Sequence, residues 1–358
     1  MIEQMVPTYG EEEIEAVVSY LRSGGWLTEF KKTRELESMI AQYVSTKHCI
    51  MVPNATLALY AMLKVLRIGV GDRVIVPAFT MVATANAVRM AGAMVTFVDI
   101  DSHTLCLDLT ELEEVLNTDR FKAVLLVSLN GRSPDMKALG EILSASGTLL
   151  LEDAAQALGS CYRGEHLGTF GHAGVFSFSA PKIITMGQGG CIVTDDDELA
   201  AGLRSFRDFG RPRGGCDDYQ SFGINLKYTD LQAAFGIEQM KKLPARTERK
   251  KAIYELYRLR LQDVVEFTPT NLNHTTPWFV DILVDRRDEL QAFLLDKGVK
   301  TRAFYPALPT CPAWKFHKHI ACSVAKDISA RGLWLPSSVS LTDADIEKVC
   351  ADVRVFYE

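Results

Sequence analysis

Between Cys49 and Asp153 the chain repeats one pattern: a short, almost wholly apolar run followed by a stretch with helical spacing. The runs are CIMV, RVIVP, MVTFVDI, AVLLVSL and TLLLED. The intervening stretches predict helices over Thr56 to Leu66, Thr80 to Gly92, Leu109 to Leu116 and Asp135 to Ser144. A strand apolar on both sides must be covered on both faces, and a helix between successive strands lets them run parallel. The pattern therefore predicts an α/β chain built on a mostly parallel sheet clad by helices. Upstream, Ile14, Val17, Val18 and Leu21 give Glu11 to Ser23 a helical stripe, and Thr33 to Tyr43 reads the same way.

With 358 residues, and roughly 100–200 expected per domain, two domains are expected. Gly174 to Phe178 and Gly190 to Thr194 read as two closer strands flanking a turn that carries Lys182. Asp230 to Leu261 reads as a long helix that Pro244 should kink or divide. The boundary is placed there, giving a large domain at 1–243 and a small C-terminal α/β domain at 244–358. In the latter, WFVDILV and Val299 to Phe304 read as strands, and Arg287 to Lys297 and Thr342 to Phe356 as helices. GVGDRV precedes a strand instead of following one, so it reads as a turn and not as a dinucleotide loop. The basic run KKLPARTERKK, interleaved with Glu248, reads as a solvated helix face.

Composition excludes several classes of function. A net charge of −6 argues against a nucleic-acid-binding face. Eight cysteines with no CxxC pair, in runs such as those of Cys49 and Cys191, read as small free hydrophobes. No apolar run reaches bilayer length, and the start MIEQMVPTYGEEEIEAV lacks a secretory pattern, so a cytoplasmic protein with no membrane partner is expected. His317, His319 and Cys322 lack a second cluster with ligand spacing, so no metal is expected.

One charged side chain stands alone. In AGVFSFSAPKIITMGQGGCIVT, Ala173 to Thr194, the single charge is Lys182. Taking an ammonium out of water favours the neutral amine, which is the form that attacks an aldehyde. Upstream, TLLLED ends on Asp153, where a parallel sheet presents its ligand-binding edge. A carboxylate for a pyridinium nitrogen and an amine for an aldehyde are what pyridoxal phosphate (PLP) chemistry requires. Asn54, Ala55 and Thr56 open a helix, whose bare N–H groups suit a phosphate, and Ser177 can add a hydroxyl.

With these residues in view, the chain resembles, nearly end to end, the DegT/DnrJ/EryC1/StrS group of PLP-dependent sugar aminotransferases. The likeness lies in SGGWLTEF, PAFTMVATANAV, FVDID, LEDAAQALGS, FSFSAPKIITMGQGG, FGINLKYTDLQAA, TRAFYPALP and RGLWLPSS. It implies the aspartate-aminotransferase-like fold (PLP fold type I) with a seven-stranded sheet, and a homodimer with shared active sites. It implies that Lys182 bonds the cofactor, that Asp153 faces its ring nitrogen and that Gln156 lies beside its ring oxygen. Ala55, Thr56 and Ser177 would cradle the phosphate, which Asn225 would reach from the other subunit. Lys227, Arg302 and Tyr305 are candidate substrate contacts.

The chain departs from the group's usual pattern at Ala55 (usually glycine), Met81 (usually an aromatic residue over the ring), Gln188 (usually glutamate) and Lys227 (usually arginine). Ser128 and Asn130 replace a histidine and a tyrosine, and together with Lys227 they mark where substrate is usually contacted. The resemblance implies transfer of an amino group from L-glutamate to a nucleotide-linked 4-keto-6-deoxy sugar, and TRAFYPALP is most similar to the branch making 4-amino sugars such as perosamine. A sugar 3-dehydratase of the same group is disfavoured because that branch has histidine at the position of Lys182. A PLP-fold regulatory protein without turnover is disfavoured by the intact Asp153–Lys182 pair.

Overall fold

The computed structural model describes residues 1–28, 30–314 and 321–358. His317 and His319 lie outside them. The expected alternation is present. Strands β1 (His48–Val52), β2 (Arg73–Pro77), β3 (Met94–Val98), β4 (Ala123–Val127) and β5 (Leu149–Asp153) come first, and a short hairpin follows, β6 (Cys161–Tyr162) and β7 (Glu165–His166). Then come β8 (Ala173–Ser177) and β9 (Gly190–Thr194). The large sheet has seven strands in the order β1-β9-β8-β5-β4-β2-β3. Only β9 runs against its neighbours; β8, β5, β4, β2 and β3 pair in parallel. This is the aspartate-aminotransferase-like architecture, with the carboxyl ends of β4, β5 and β8 side by side.

Helices α2 (Lys31–Val44), α3 (Ala55–Val65), α4 (Ala83–Ala91), α5 (Leu109–Thr118), α6 (Met136–Ser146) and α7 (Asp197–Arg207) clad the sheet, while α1 (Glu11–Arg22) packs against the long helix over Asp230–Leu261. Their starts follow local chemistry. Asn54, Asp108, Asp135 and Asp196 each accept a backbone N–H in the first turn, which satisfies donors a helix cannot pair internally. The GVGDRV segment is a turn: Gly71 has φ +91°, and the Asp72 carboxylate accepts the Gly69 N–H at 2.9 Å.

Helix α8 (Asp230–Leu261) narrows one expectation and corrects another. Pro244 lies inside it without dividing it, although an interior proline costs a helix about 3 kcal/mol. Tertiary packing outweighs that cost: Ala233, Ile237, Met240 and Leu243 join the large-sheet core, while Ile253, Tyr254, Tyr257 and Leu261 join a second core. The basic run is not wholly a solvated face either. Arg246 and Lys250 are buried, because they fall on the inward stripe that carries Leu243 and Ile253.

That second core lies under a four-stranded sheet, β10-β11-β13-β12, made of β10 (Glu266–Phe267), β11 (Val280–Leu283), β12 (Arg302–Ala303) and β13 (Gly332–Leu335). Helices α9 (Arg287–Asp296), α10 (Ser323–Arg331) and α11 (Asp343–Tyr357) accompany it. The strand expected over Val299 to Phe304 shrinks to β12, because Val299 and Lys300 face the N-terminus, where the Lys300 N–H bonds the Ile2 carbonyl at 2.9 Å. The start of β11 reaches the large sheet, and Trp278 and Phe279 belong to its core. Among the described residues no helix is long and apolar enough to cross a membrane, and no cluster of three His, Cys, Asp or Glu could hold a metal ion.

Candidate active site

Asp153 ends β5 and is 6% exposed. Its Oδ2 accepts the Thr84 hydroxyl at 2.7 Å, and its Oδ1 the Ala155 N–H at 3.2 Å. Burial pushes this carboxyl up, against the pull of Thr84, the Ala155 N–H and the charge of Lys182. Thr84 is itself buried and lies 3.1 Å from both Thr80 Oγ1 and the Met81 carbonyl. A hydroxyl has one proton. The shorter contact, to an ionised acceptor, claims it, and Thr80 can donate to Thr84 in turn.

Lys182 sits on the loop that turns β8 back into β9. That loop is pinned by Phe178 N–H to Gly189 O at 2.9 Å, Met186 N–H to Phe178 O at 2.9 Å and Lys182 N–H to Ser179 O at 3.0 Å. The side chain is half-buried. Desolvation pulls its amine down to about 7; Asp153 opposes this and Arg302 adds to it. Nζ lies 3.8 Å from the centre of the Trp278 ring. Lys182, Gln156, Ser177 and Trp278 line one small cavity.

The phosphate candidates converge on the same edge. Ala55 and Thr56 are the first residues of α3, where N–H groups lack intrahelical partners. A side chain at Gly190 would place its Cβ 2.5 Å from the Ala55 nitrogen, so β9 can touch this helix start only through glycine. Gly190 pairs in register with the buried Ser177, which brings Ala55, Gly190 and Ser177 together. Gln156 is buried, and its Oε1 accepts the Asn130 N–H at 2.9 Å. Met81 stands at the head of the turn into α4, 44% exposed, with its sulfur accepting the Ala83 N–H at 3.1 Å.

Two substrate candidates face this site and one does not. Arg302 lies 5.4 Å from the Tyr305 ring centre and 5.5 Å from that of Trp334. Burial pushes the Tyr305 hydroxyl above the usual range, with Arg302 opposing and Asp153 reinforcing. Lys227 instead pairs with Asp208, lies 4.4 Å from the Phe209 ring centre and lines a separate cleft of about 1030 Å³ with Arg34, Arg204, Arg211 and Arg213. Asn225 is on the exposed surface beside it, its Oδ1 accepting the Lys227 N–H at 3.2 Å. Within one chain these two stand apart from Lys182.

Sequence reasoning missed two residues and misplaced a third. Thr84 and Trp278 carried no local signal, since both read as ordinary core positions. Asn130 was expected where substrate is contacted, but its side chain is spent elsewhere. Its amide donates to Phe279 O at 2.8 Å and Asp281 Oδ2 at 3.0 Å, and its oxygen accepts the Phe279 N–H at 2.7 Å. Asp281 in turn holds buried Arg132 through two bonds of 2.6 and 2.7 Å. The loop after β4 thus joins Gln156 to β11. Ser128, 0% exposed, has a hydroxyl with no hydrogen-bond partner among the described residues.

A carboxylate at a strand tip, a weakly basic amine opposite it, and a helix start with a serine for a phosphate fit pyridoxal phosphate. On this fold they define a PLP-dependent aminotransferase. More narrowly, the chain belongs to the DegT/DnrJ/EryC1/StrS aminotransferase family, whose model matches residues 7–354. It is 35% identical to GDP-perosamine synthase of Caulobacter vibrioides over 326 residues, 88% of each chain. It is 32% identical to GDP-perosamine synthase of Escherichia coli O157:H7 over 330 residues, 90% of each. Among solved structures, the aminotransferase TlmJ from Streptoalloteichus hindustanus superposes with a TM-score of 0.94 at 31% identity, covering 99% of this chain and 98% of that one. The protein is a PLP-dependent sugar aminotransferase.

Proposed function

We propose that this enzyme moves the amino group of L-glutamate to the keto carbon of a nucleotide-linked 4-keto-6-deoxy sugar, as a GDP-perosamine synthase does. The observation that carries the reading is the meeting, at one edge of the large sheet, of buried Asp153 at the tip of β5, the Lys182 loop between β8 and β9, and the start of α3 beside Ser177. The sugar assignment draws on the two GDP-perosamine synthases that share about a third of their residues with this chain.

When bound, pyridoxal phosphate supplies an aldehyde that takes the amino group and a ring that accepts electrons from a breaking C–H bond. Ala55, Thr56 and Ser177 would hold its phosphate, Asp153 its ring nitrogen, Gln156 its ring oxygen, and Met81 would cover the ring. Asp153, fixed by Thr84, holds a negative charge where a protonated ring nitrogen needs one. Lys182 takes a proton at Nζ from the carbon bearing the donor nitrogen and returns one to the carbon that becomes aminated. Its low basicity lets one group do both near neutral pH. Arg302 and Tyr305 orient the sugar. Asn225 and Lys227 act across a homodimer interface, in the neighbouring subunit's site. Eight free cysteines suit the reducing cytoplasm.

The test is a panel of GDP-, UDP- and dTDP-linked 4-keto-6-deoxy sugars incubated with glutamate, followed by mass measurement of the product. Amination of one member is expected. Amination of none, or loss of a hydroxyl in place of amination, overturns the reading. For the shared site, Lys182→Ala and Asn225→Ala subunits, each weak alone, should regain activity when mixed and refolded together.

A further inference from the structure

Lys182 must carry a proton in a place that penalises its charged form. The groups facing it are few. Asp153 from β5 favours the ammonium and Arg302 from β12 disfavours it, while Tyr305, beside Arg302, feels Asp153. The closest surface is aromatic. The Trp278 ring centre is 3.8 Å from Nζ, and Trp278 is only 2% exposed. A cation on the face of a desolvated indole is stabilised by the ring's quadrupole, and tryptophan is the strongest of the aromatic side chains in this respect.

The indole is held so that this face cannot turn away. Its Nε1–H donates to the carbonyl of Pro181, the residue before Lys182, at 2.7 Å. Phe279 stacks on it with ring centres 3.8 Å apart and planes 23° apart. Phe279 is in turn fixed through its backbone by the Asn130 side chain. One hydrogen bond therefore clips the segment leading into β11 to the lysine loop, and one ring face meets the amine.

We propose that the Trp278 indole is the seat of the protonated Lys182 amine, a positioning residue that holds the ammonium between taking a proton from one carbon and returning one to another. This rests on the reading of Lys182 as the proton carrier. No bond to Trp278 forms or breaks; the proton stays on Nζ while the amine rests there.

The test keeps the indole's shape and changes its electron density. The full-length protein is produced with tryptophan replaced by analogues bearing one, two or more fluorines, and a parallel series is made in Trp278→Phe. The second series accounts for Trp26, Trp314 and Trp334. In the cofactor-free protein, the Lys182 midpoint is read by competitive acetylation against pH with mass spectrometry. The midpoint should fall stepwise with fluorination by a total of about 0.4 to 1.5 pH units, and stay flat in the Trp278→Phe series. In the loaded enzyme the pH profile of kcat should move in step while KM for the sugar holds. A flat midpoint in the first series, or an equal fall in the second, overturns the proposal. The acetylation readout does not depend on turnover, so a failed functional assignment shows separately, as retained activity in Lys182→Ala.

Discussion

Two lysines in this molecule are equally reluctant to be charged, and only one stands in a place to react. Burial draws both Lys182 and Lys250 down to about 7. Both lie near an aromatic ring, Lys250 at 5.7 Å from the Phe279 centre. Lys250 is 2% exposed on the inward stripe of α8, and its Nζ donates to the Ser337 carbonyl at 2.6 Å. Desolvation is the one cause of its shift. Lys182 has in addition an anion, Asp153, a competing cation, Arg302, and a cavity shared with Gln156 and Ser177. Low basicity is thus a by-product of packing. Reactivity also needs a counter-charge and an opening.

The sharpest way to break the comparison is to remove each amine. Lys182→Ala should cost at least about 10³-fold in turnover and abolish the visible absorbance of the bound cofactor. Lys250→Met should leave turnover within about threefold, as for a change away from any reacting atom. Equal losses in steady-state assays would erase the distinction. Next in size, Asp153→Asn removes the counter-charge and should lower kcat by about 10²-fold, read in single-turnover amination with glutamate alone. A variant as fast as the parent would mean that Asp153 is not the ring's partner.

Thr84→Val removes a hydrogen bond to that carboxylate. It should weaken cofactor retention roughly tenfold, measured by reconstitution of the cofactor-free protein, and Thr84→Ser should restore it. The smallest effect is on stability. The folded-state pKa of Lys250 is depressed below its unfolded value, so between about pH 7 and pH 10 the unfolded chain binds the extra proton and stability rises with pH. Lys250→Met should flatten that rise by up to about 1.4 kcal/mol per pH unit in urea titrations. An unchanged slope would mean that Lys250 stays charged in the fold.

The alternation of β1 to β5 with helices was legible because strands covered on both faces must be apolar throughout. The Lys182–Asp153 pair was legible because an isolated charge in an apolar segment stands out. What was missed depends on distant packing. Trp278 meets Lys182 only when the small sheet docks, and Thr84 meets Asp153 only when α4 settles against β5. Helix α7, helix α10 and strand β13 went unread. The basic run was misjudged for a related reason: α8 serves two cores at once, and charge along the sequence does not report that.

The tip of β5 carries two acids in succession, and the pleat sends successive side chains to opposite faces of the sheet. Glu152 gathers the N–H groups of Gly168, Phe170 and Gly171 at 2.7 Å each, anchoring the segment that leads into β8. Asp153 is left to the other face, toward Thr84 and Lys182. A single residue inserted upstream in this strand would turn both acids to the opposite faces, pointing Glu152 where Asp153 now stands and leaving Leu151 before the three N–H groups.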